Sequence, residues 1–312
     1  MPEIQVFIAT YNRPAMVFNA VNSALNQDFD SFEVILSDNS SNDETENQIY
    51  KIKNDRFVYR RRKPSIHVTD HLNVILQEVT AEYFMIFHDD DIMHRNLIKV
   101  LYKLMGENLD VIAVGSNANV FKRGRIQKRK FNNRLKNDIK INSTEEMVHA
   151  YSVPSFVPFP GYMYRKEVAQ RLRFDSGQGG KHSDAAFIIN LLNLGSVIFV
   201  AQPLMDYYIH SEQDSIIYDF RAFASLISYI SKTMNFQRKH PVLKRMRIQN
   251  LYMETKYNLL NQKLSIFSKR YLIVTRILFH YSISEYFLKI ILISLRSLLI
   301  KKGKTFYRCY IK

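Results

Sequence analysis

Three consecutive carboxylates, Asp89, Asp90 and Asp91, carry the most specific chemical signal in the sequence. They follow His88 and the apolar run Tyr83 to Phe87, which predicts a buried strand. In open α/β sheets, ligands bind beyond the carboxyl ends of the strands. Adjacent carboxylates repel one another unless a cation binds between them. Carboxylate oxygens are hard ligands and favour Mg²⁺ or Mn²⁺, and these ions in turn bind a diphosphate. The alternative is that these acids only end the strand or cap a helix.

A second acid, Asp38, follows the apolar run Phe32 to Leu36, which predicts another strand. The run Ser37 to Asp43 is by default a turn, because Asn, Asp and Ser favour turns. Asp38 becomes a stronger candidate for a functional residue because it and the three acids at 89–91 all stand at carboxyl ends of strands in one predicted sheet. The two groups are therefore expected to face a common cleft.

The elements that must hold these acids alternate between strand and helix. Apolar runs predict strands, and 3.6-residue periodicity predicts helices between them. Such alternation indicates an α/β fold with a mostly parallel sheet covered on both faces. The predicted strands cover residues 4–9, 32–36, 57–61, 83–87 and 111–116, and the predicted helices 14–26, 45–53, 69–79 and 96–105. Residues 122–140 predict a loop or short hairpin, 151–164 an irregular turn region, 185–194 a helix, and 220 onward a helical extension.

Several of these segments, in this order and spacing, resemble the family 2 glycosyltransferases, which have the Rossmann-like GT-A fold. The matching segments are Phe7 to Pro14, Ser23 to Gln27, Glu33 to Asp43, and Glu82 to Phe84 leading into Asp89-Asp90-Asp91. The resemblance is strong over residues 4–105 and thins to scattered motifs by about residue 215. It implies an inverting, metal-dependent transfer of a sugar from a nucleotide-diphosphate donor to a glycan or lipid-linked glycan, in bacterial cell-surface polysaccharide or O-antigen synthesis.

The resemblance also implies roles for individual positions near the donor. The implied nucleotide-sugar-binding residues are Thr10, Tyr11, Arg13, Asp38, Asn73, Asp89 and Asp90. Among them, Asp38 would accept a hydrogen bond from the nucleobase, and Asn73 matches an asparagine that the family often has near the donor. The implied ligands of Mn²⁺ or Mg²⁺ are Asp89, Asp91 and His210, with Asp91 the direct ligand.

A base is needed to deprotonate the acceptor hydroxyl, and the resemblance implies Asp184. The family often has an acidic pair here, but Ser183 replaces the first acid and leaves Asp184 as the one carboxylate. Without the resemblance, Asp184 could equally be the N-cap of the following helix. The segment Tyr207 to Ser215 resembles a later family motif, in which His210 would complete the metal shell or contact the diphosphate; His182 is a weaker candidate at the donor site.

The net charge of +15 lies in the C-terminal quarter. Residues 1–230 have 26 basic and 27 acidic residues, whereas residues 231–312 have 18 basic and two acidic ones. Residues 283–300 predict an amphipathic helix, with Ile283, Phe287, Ile290, Ile291, Leu298 and Leu299 near one face. We expect this basic region to bind an anionic membrane surface, with packing onto the catalytic domain as the alternative.

Further features indicate a cytoplasmic protein, peripheral at the inner face of the cell membrane. The single cysteine, Cys309, cannot form a disulfide within the chain, which fits a reducing compartment. The start Met1-Pro2-Glu3 lacks the basic residue and long apolar run of a secretion signal. No stretch reaches the roughly 18 apolar residues that a spanning helix needs.

These observations predict a catalytic domain over residues 1–225 and a basic helical region over 226–312. Residues 1–105 would bind the nucleotide-sugar and 106–225 the acceptor. One alternative is a metal-dependent nucleotidyltransferase, but Thr10 to Pro14 contains no glycine of a phosphate loop. A nucleic-acid-binding protein would use the basic tail and Arg60 to Lys63, yet it leaves the strand-end acids unexplained. An inactive scaffold is disfavoured because the acids are present.

Overall fold

The computed structural model describes residues 2–122, 125–151, 157–210, 219–234, 240–261, 263–281 and 286–294. The chain forms two compact units. Unit 1 comprises Met1–Gly177 and Ser183–Gln213, and unit 2 comprises Gln178–His182 and Asp214–Lys312. The functional division into a catalytic domain, with its two halves, and a C-terminal region stays a prediction.

Unit 1 is built on a single ten-stranded sheet. In chain order its strands are β1 (Ile4–Thr10), β2 (Phe32–Asp38), β3 (Phe57–Arg61), β4 (Tyr83–His88), β5 (Ile92–Met93), β6 (Val111–Lys122), β7 (Arg125–Lys130), β8 (Ile139–Ile141), β9 (Tyr162–Arg165) and β10 (Ser196–Ile209). Their spatial order is β3-β2-β1-β4-β9-β6-β10-β5, with β7 paired to β6 and β8 to β10.

The N-terminal strands β3, β2, β1 and β4 are parallel, as the alternation of apolar runs and helices predicts. The register pairs Thr10 with Asp38 and Ala9 with His88. The carboxyl ends of β2, β1 and β4 therefore meet at one edge of the sheet. Beyond β4 the sheet becomes mixed, because β9 lies antiparallel between β4 and β6.

Helices cover the sheet of unit 1. They are α1 (Pro14–Leu25), α2 (Glu44–Ile49), α3 (Val68–Gln77), α4 (Leu97–Glu107), α5 (Thr144–Tyr151), α6 (Lys166–Arg171) and α7 (Ser183–Asn190). Alternate residues of β1 point to opposite faces. Ile4, Val6 and Ile8 pack with buried residues of α1 and α4, whereas Phe7 is buried on the other face. Both faces are thus covered, and the fold is mixed α/β as predicted.

The structure corrects the sequence prediction in the second half of unit 1. Residues 122–140 contain a hairpin strand, as one of the two predicted alternatives, because β7 pairs antiparallel with β6, which continues to Lys122. In the region predicted as an irregular turn, Phe159–Gly161 form a 3-10 turn and β9 begins at Tyr162, whereas the helix α5 just before it was not predicted. The strand β10 and helix α6 were not predicted. The helix predicted over 185–194 is α7, followed by a 3-10 turn at Leu191–Asn193.

Unit 2 is helical, as predicted for residues 220 onward. Its helices are α8 (Phe220–Thr233), α9 (Pro241–Leu260) and α10 (Lys269–Tyr281), and residues 286–294 are also helical. Its small core contains Tyr252, Leu259, Val274, Leu278 and Ile290. Of the residues predicted for the amphipathic helix, 283–285 and 295–300 lie outside the described ones. In the part of the chain that the structure describes, no helix is both long and apolar enough to cross a membrane.

Candidate functional site

The acid cluster, Asp89, Asp90 and Asp91, lies at the carboxyl edge of the sheet, where β4 ends. Asp89 is only 3% exposed and has two partners. The Thr10 hydroxyl donates a 2.6 Å hydrogen bond to one of its oxygens, and the Arg13 guanidinium donates a 3.0 Å bond to the other. Burial raises the pKa of Asp89, and the Thr10 hydrogen bond and the Arg13 charge only partly offset it. Asp89 is therefore anchored to the start of α1.

Asp90 is held between two basic side chains. Its Oδ2 lies 3.1 Å from the Arg13 guanidinium and 2.8 Å from Nε2 of His210, which follows β10. Arg13 contacts Asp89 as well, so one guanidinium joins two of the three acids. The predicted members Arg13, Asp89, Asp90 and His210 thus lie together.

Asp91 differs from its neighbours, because its carboxylate is buried but poorly paired. It is fully buried, and the Tyr208 backbone N–H donates a 2.9 Å bond to Oδ1. Its buried Oδ2 has no hydrogen-bond partner among the described residues. Burial, followed by the negative charge of Asp90, raises the pKa of Asp91 well above its ordinary value. A buried oxygen of this kind is costly unless something binds it.

A divalent cation fits this oxygen. Among the described residues, His88, Asp90 and Asp91 bring one ligand atom each to within 4.8 Å of one another. Nδ1 of His88 lies 3.9 Å from Asp91 Oδ2. Imidazole nitrogen with carboxylate oxygen suits Mn²⁺, and a carboxylate pair also suits Mg²⁺. The predicted ligand set was Asp89, Asp91 and His210, and it stays a prediction: the Asp89 oxygens accept from Thr10 and Arg13, and His210 contacts Asp90.

Asp38 ends β2, which β1 separates from β4 and the acid cluster, and it is fully buried. Its Oδ2 accepts hydrogen bonds from the Tyr59 hydroxyl at 2.8 Å and from Arg61 at 2.9 Å, and its Oδ1 accepts from the Ser40 N–H at 2.8 Å. Burial raises the pKa of the Tyr59 hydroxyl. A carboxylate has about four lone-pair directions, so three bonds leave about one.

The loop between β1 and α1 joins the two acidic positions. Asn12 has a positive φ of 53°, and its N–H donates to the Ser40 hydroxyl at 2.8 Å. The Asn12 side-chain oxygen accepts from the Ser41 N–H at 2.9 Å. These bonds tie the loop to the turn after Asp38 and leave Tyr11 53% exposed beside it. Tyr11 therefore lies, with about half of its surface exposed, in the loop that connects these positions.

Asp184 and Asn73 lie on helices and not at the strand ends that carry Asp38 and the acid cluster. Asp184 stands in the first turn of α7, is half-buried, and accepts a 2.8 Å hydrogen bond from the Ala185 N–H. Asn73 lies on α3, where its side chain bonds the backbone of Phe174. His182 belongs to unit 2, where its ring packs against Phe223.

Comparison with known proteins identifies the family to which the chain belongs. Residues 5–173, more than half of the chain, match the profile of "Glycosyl transferase family 2". The chain belongs to glycosyl transferase family 2. The resemblance seen in the sequence motifs is therefore confirmed, and the acid cluster and Asp38 both fall inside the matched segment of this family 2 protein.

Curated relatives of this family 2 protein are bacterial. One, from Campylobacter jejuni, is named GalNAc(5)-diNAcBac-PP-undecaprenol beta-1,3-glucosyltransferase, and is 24% identical over 61% of this chain and 60% of its own length. Another, from Escherichia coli, is named UDP-Glc:alpha-D-GlcNAc-diphosphoundecaprenol beta-1,3-glucosyltransferase, and is 30% identical over 29% of this chain and 36% of its own length. The chain thus spans less than two thirds of the length of either relative.

Solved structures share the fold of this family 2 protein. Residues 1–349 of Staphylococcus aureus TarS superpose with a TM-score of 0.54 at 16% identity, over 82% of this chain and 80% of that one. The mannosyltransferase PcManGT of Pyrobaculum calidifontis, in complex with GDP-Man and Mn²⁺, gives 0.56 at 14% identity, over 96% and 86%. These likenesses establish the GT-A fold.

Three residues at the site were not predicted: His88 as a cation-ligand candidate, and Tyr59 and Arg61 as partners of Asp38. His88 could have been found, because residues two apart at a strand end share a side and His88 stands two before Asp90. Arg61 could have been found from the parallel register, which pairs Asp38 with Arg61 at the ends of β2 and β3. No local signal pointed to Tyr59.

Proposed function

We propose that this family 2 protein is an inverting glycosyltransferase that transfers a sugar from a nucleotide-diphosphate donor to a glycan or polyprenyl-linked glycan. The proposal extends to cell-surface polysaccharide biosynthesis, because the two curated relatives are named for undecaprenol-linked acceptors. The observation that carries it is the buried Oδ2 of Asp91, which has no hydrogen-bond partner in the described part of the chain and lies beside Asp90 and His88. Without a cation at this position, the protein would bear the energetic cost of a buried oxygen that lacks a hydrogen-bond partner and would gain nothing from it.

We propose His88, Asp90 and Asp91 as the residues that hold Mn²⁺ or Mg²⁺. When bound, the ion neutralises negative charge that develops on the diphosphate leaving group. Asp89 then has a different task, since Thr10 and Arg13 occupy both of its oxygens. It fixes Arg13, whose guanidinium adds a permanent positive charge at the edge where the diphosphate would lie. Thr10, Tyr11 and Arg13 border the proposed nucleotide pocket.

Asp38 and its partners are proposed to recognise the nucleobase. Arg61 and Tyr59 hold the Asp38 carboxylate in one orientation through Oδ2. The remaining lone-pair direction of Oδ1 can accept one N–H of a base. Structural neighbours were solved with UDP-GlcNAc and with GDP-Man, and uracil and guanine each offer such an N–H.

Asp184 is the proposed general base. Its carboxylate takes the proton of the acceptor hydroxyl while that oxygen forms a bond to the anomeric carbon of the sugar. The bond from the anomeric carbon to the diphosphate oxygen breaks at the same time, and the nucleoside diphosphate leaves. One displacement inverts the anomeric centre and forms no covalent sugar–enzyme intermediate. Isolation of a sugar ester on Asp184 would contradict this mechanism.

The experiment measures nucleotide binding first, because it needs no acceptor. UDP, GDP and dTDP are titrated calorimetrically against the full chain with Mn²⁺, with Mg²⁺, and with EDTA. We expect one nucleotide to bind at least tenfold more tightly with metal, and Asp91→Asn to abolish that difference. Equal affinity for all three nucleotides in Mn²⁺ and in EDTA would overturn the proposal.

The donor panel then tests the chemistry. UDP-, GDP- and dTDP-sugars are offered with polyprenyl-diphosphate-linked glycans, and nucleotide release is followed together with the anomeric configuration of the product. Asp184→Asn should bind nucleotide like the wild type and lose at least a hundredfold in transfer, which is the typical range of general-base catalysis. A product that retains the donor's anomeric configuration would refute the inverting mechanism.

Membrane attachment through unit 2 is part of the proposal. The α10 side chains Leu272, Ile273 and Phe279 are 61%, 52% and 52% exposed. In the following helical segment, Leu288 and Leu292 are 56% and 65% exposed. Exposed apolar side chains with many neighbouring cations suit an anionic lipid surface. This surface is not the predicted one, because Ile290 is fully buried in the core of unit 2, with Phe287 packed against it.

Vesicle sedimentation tests the attachment. We expect the full chain to sediment with vesicles containing phosphatidylglycerol and not with pure phosphatidylcholine, and high salt to weaken the binding. The triple variant Leu272→Ser, Ile273→Ser, Phe279→Ser should stay soluble. Leu109→Ser removes an 85% exposed leucine of unit 1 and should leave sedimentation unchanged. If the triple variant sediments as the wild type does, this surface is not the membrane contact.

A further inference from the structure

Asn73 forms a two-bond clamp on a distant piece of backbone. Its side-chain amide donates a 2.9 Å hydrogen bond to the Phe174 carbonyl, and its side-chain oxygen accepts a 2.8 Å bond from the Phe174 N–H. Both polar ends of one side chain therefore hold one residue, 101 positions later in the chain. This geometry fixes the orientation of the amide and leaves little freedom for a separate contact with a donor.

The clamped residue belongs to a row of aromatic rings. Phe174 is 3% exposed, and its ring stacks on Phe187 with centroids 4.2 Å apart and planes 9° apart. On another side Phe174 meets Phe159 edge-on, with centroids 5.8 Å apart. Phe159 in turn lies against His88, with centroids 5.9 Å apart. The row of four rings runs from the proposed cation ligand His88 to helix α7, and Asn73 holds Phe174, one of its two inner members.

Helix α7 carries the proposed base at one end of this row. Phe187 follows Asp184 by three residues, and residues three apart on a helix lie on the same side. Phe187 is 1% exposed and also meets Tyr164 of β9 edge-on, with centroids 6.0 Å apart. A shift of the α7 backbone at Phe187 would therefore shift Asp184 as well, because both residues belong to the same short helix.

We propose that Asn73 is a positioning residue that sets the place of Asp184 through Phe174 and Phe187, and that it acts without touching the donor. The inference rests on the proposed function, in which Asp184 is the base. Transfer needs the base within about 3 Å of the acceptor oxygen, and an error of about 1 Å can cost a factor of about 100. In this proposal nucleotide binding depends on Asp38 and the acid cluster, to which the Asn73 side chain makes no hydrogen bond among the described residues.

The experiment separates transfer from nucleotide binding. Asn73→Ala and Phe174→Leu are measured for kcat of transfer and for the dissociation constant of the metal–nucleotide complex. We expect each variant to lose about 10- to 100-fold in kcat while the dissociation constant changes less than twofold. The double variant should lose no more than the worse single variant, because both act through one contact. A donor contact by Asn73 would instead weaken nucleotide binding, and that result would overturn the proposal.

Gln5→Ala is the matched control for general loss of stability. The Gln5 side-chain oxygen also accepts backbone bonds, from Thr80 at 2.8 Å and Ala81 at 3.1 Å. Gln5 lies near the opposite end of β1, about 16 Å along the strand from Thr10 at about 3.3 Å per residue. The Gln5→Ala variant should have a lower melting temperature and an unchanged kcat. If Gln5→Ala lost as much kcat as Asn73→Ala, the loss would reflect general destabilisation and not the position of Asp184, and the proposal would be overturned.

Hydrogen exchange gives a readout that does not depend on the proposed function. Asn73→Ala should speed exchange of the α7 amides and leave those of α1 unchanged. If α7 exchange is unaffected, the clamp does not control α7 and the inference fails, whatever the activity. If the wild type shows no metal-dependent nucleotide binding, the proposed function fails, while faster α7 exchange would still establish the link from Asn73 to α7.

Discussion

Replacing Asp91 by Asn should stabilise the metal-free protein while abolishing its function. Asp91 is fully buried, its Oδ2 lacks a hydrogen-bond partner among the described residues, and Asp90 adds repulsion. An Asn keeps an oxygen that can accept the Tyr208 N–H and removes the charge. The metal-free site therefore bears an energetic cost that a bound cation would offset, and the substitution removes part of that cost without a cation.

The magnitude follows from the hydrogen-bond geometry. A buried polar atom without a partner costs about 1–3 kcal/mol. The Asn amide leaves an unpaired but neutral group in the same position, so only the excess cost of the buried charge is recovered, and we take about 1 kcal/mol as the gain. For domains of 150–250 residues this raises the melting temperature by about 2–4 °C. Saturating Mn²⁺ at about 100 times its dissociation constant should add about 2.7 kcal/mol to the wild type and nothing to Asp91→Asn.

Thermal unfolding in EDTA and in Mn²⁺ measures both effects, with Asp38→Asn as the matched control. Asp38 is equally buried, but three donors pair its carboxylate. The same substitution there breaks a buried ion pair with Arg61 and should cost about 3 kcal/mol or more. The two variants are therefore expected to shift the melting temperature in opposite directions. A lower melting temperature for metal-free Asp91→Asn, or a retained response to Mn²⁺, would refute the reasoning.

Three further predictions concern stability. Burial, followed by the charge of a neighbouring arginine, lowers the pKa of His71 to about 4. Below about pH 6.5 the unfolded chain binds a proton at this histidine, whereas the native state does so only near pH 4. The free energy of unfolding should therefore fall by about 3 kcal/mol between about pH 6.5 and 4. Urea unfolding should show this loss in the wild type and not in His71→Asn. Thr10→Val removes a 2.6 Å hydrogen bond to a buried acid and should cost about 2 kcal/mol in the same assay; no loss would show that the bond contributes nothing. Gly115→Ala would bring a methyl to 2.6 Å from the buried Tyr162 ring and should cost about 1–3 kcal/mol, whereas Gly106→Ala, in open space on α4, should stabilise.

The N-terminal half of unit 1 could be predicted because its signals are local. Apolar runs such as Tyr83 to Phe87 end in polar turn residues, and the helices between them show clear periodicity. The edge shared by Asp38 and the acid cluster then follows from parallel pairing alone. Thr10 and Asp38 are partners in the observed register.

The second half could not be predicted by the same means. β9 has only four residues and follows Pro158 and Pro160, which suggest a turn, and its pairing depends on β4 and β6. β10 contains Pro203 and shows register shifts against β6 around that residue. Irregular strands of this kind are specified by their partners, which a scan along one chain does not reveal.

Within the site, residue types were easier to predict than their contacts. Arg13 and His210 were named from sequence, but their contacts with Asp90 join positions 77 and 120 residues apart. Asn73 was expected near the donor, and its amide bonds Phe174 instead. Its donor-binding role stays a prediction that the kinetic experiment decides. Local sequence gives the chemistry of a side chain, whereas long-range packing decides which atoms it meets.

The contribution of β10 to the acid cluster has a consequence for protein synthesis. The Tyr208 N–H and His210 reach Asp91 and Asp90 from 117 and 120 residues further along the chain. The ribosome therefore releases Asp90 and Asp91 long before it releases Tyr208 and His210, which contact them. During that interval water must solvate these carboxylates, so the strands that carry them can pair first while the cluster closes only when β10 docks. A nascent chain that stops before Ser196 would have the acids but no such enclosure.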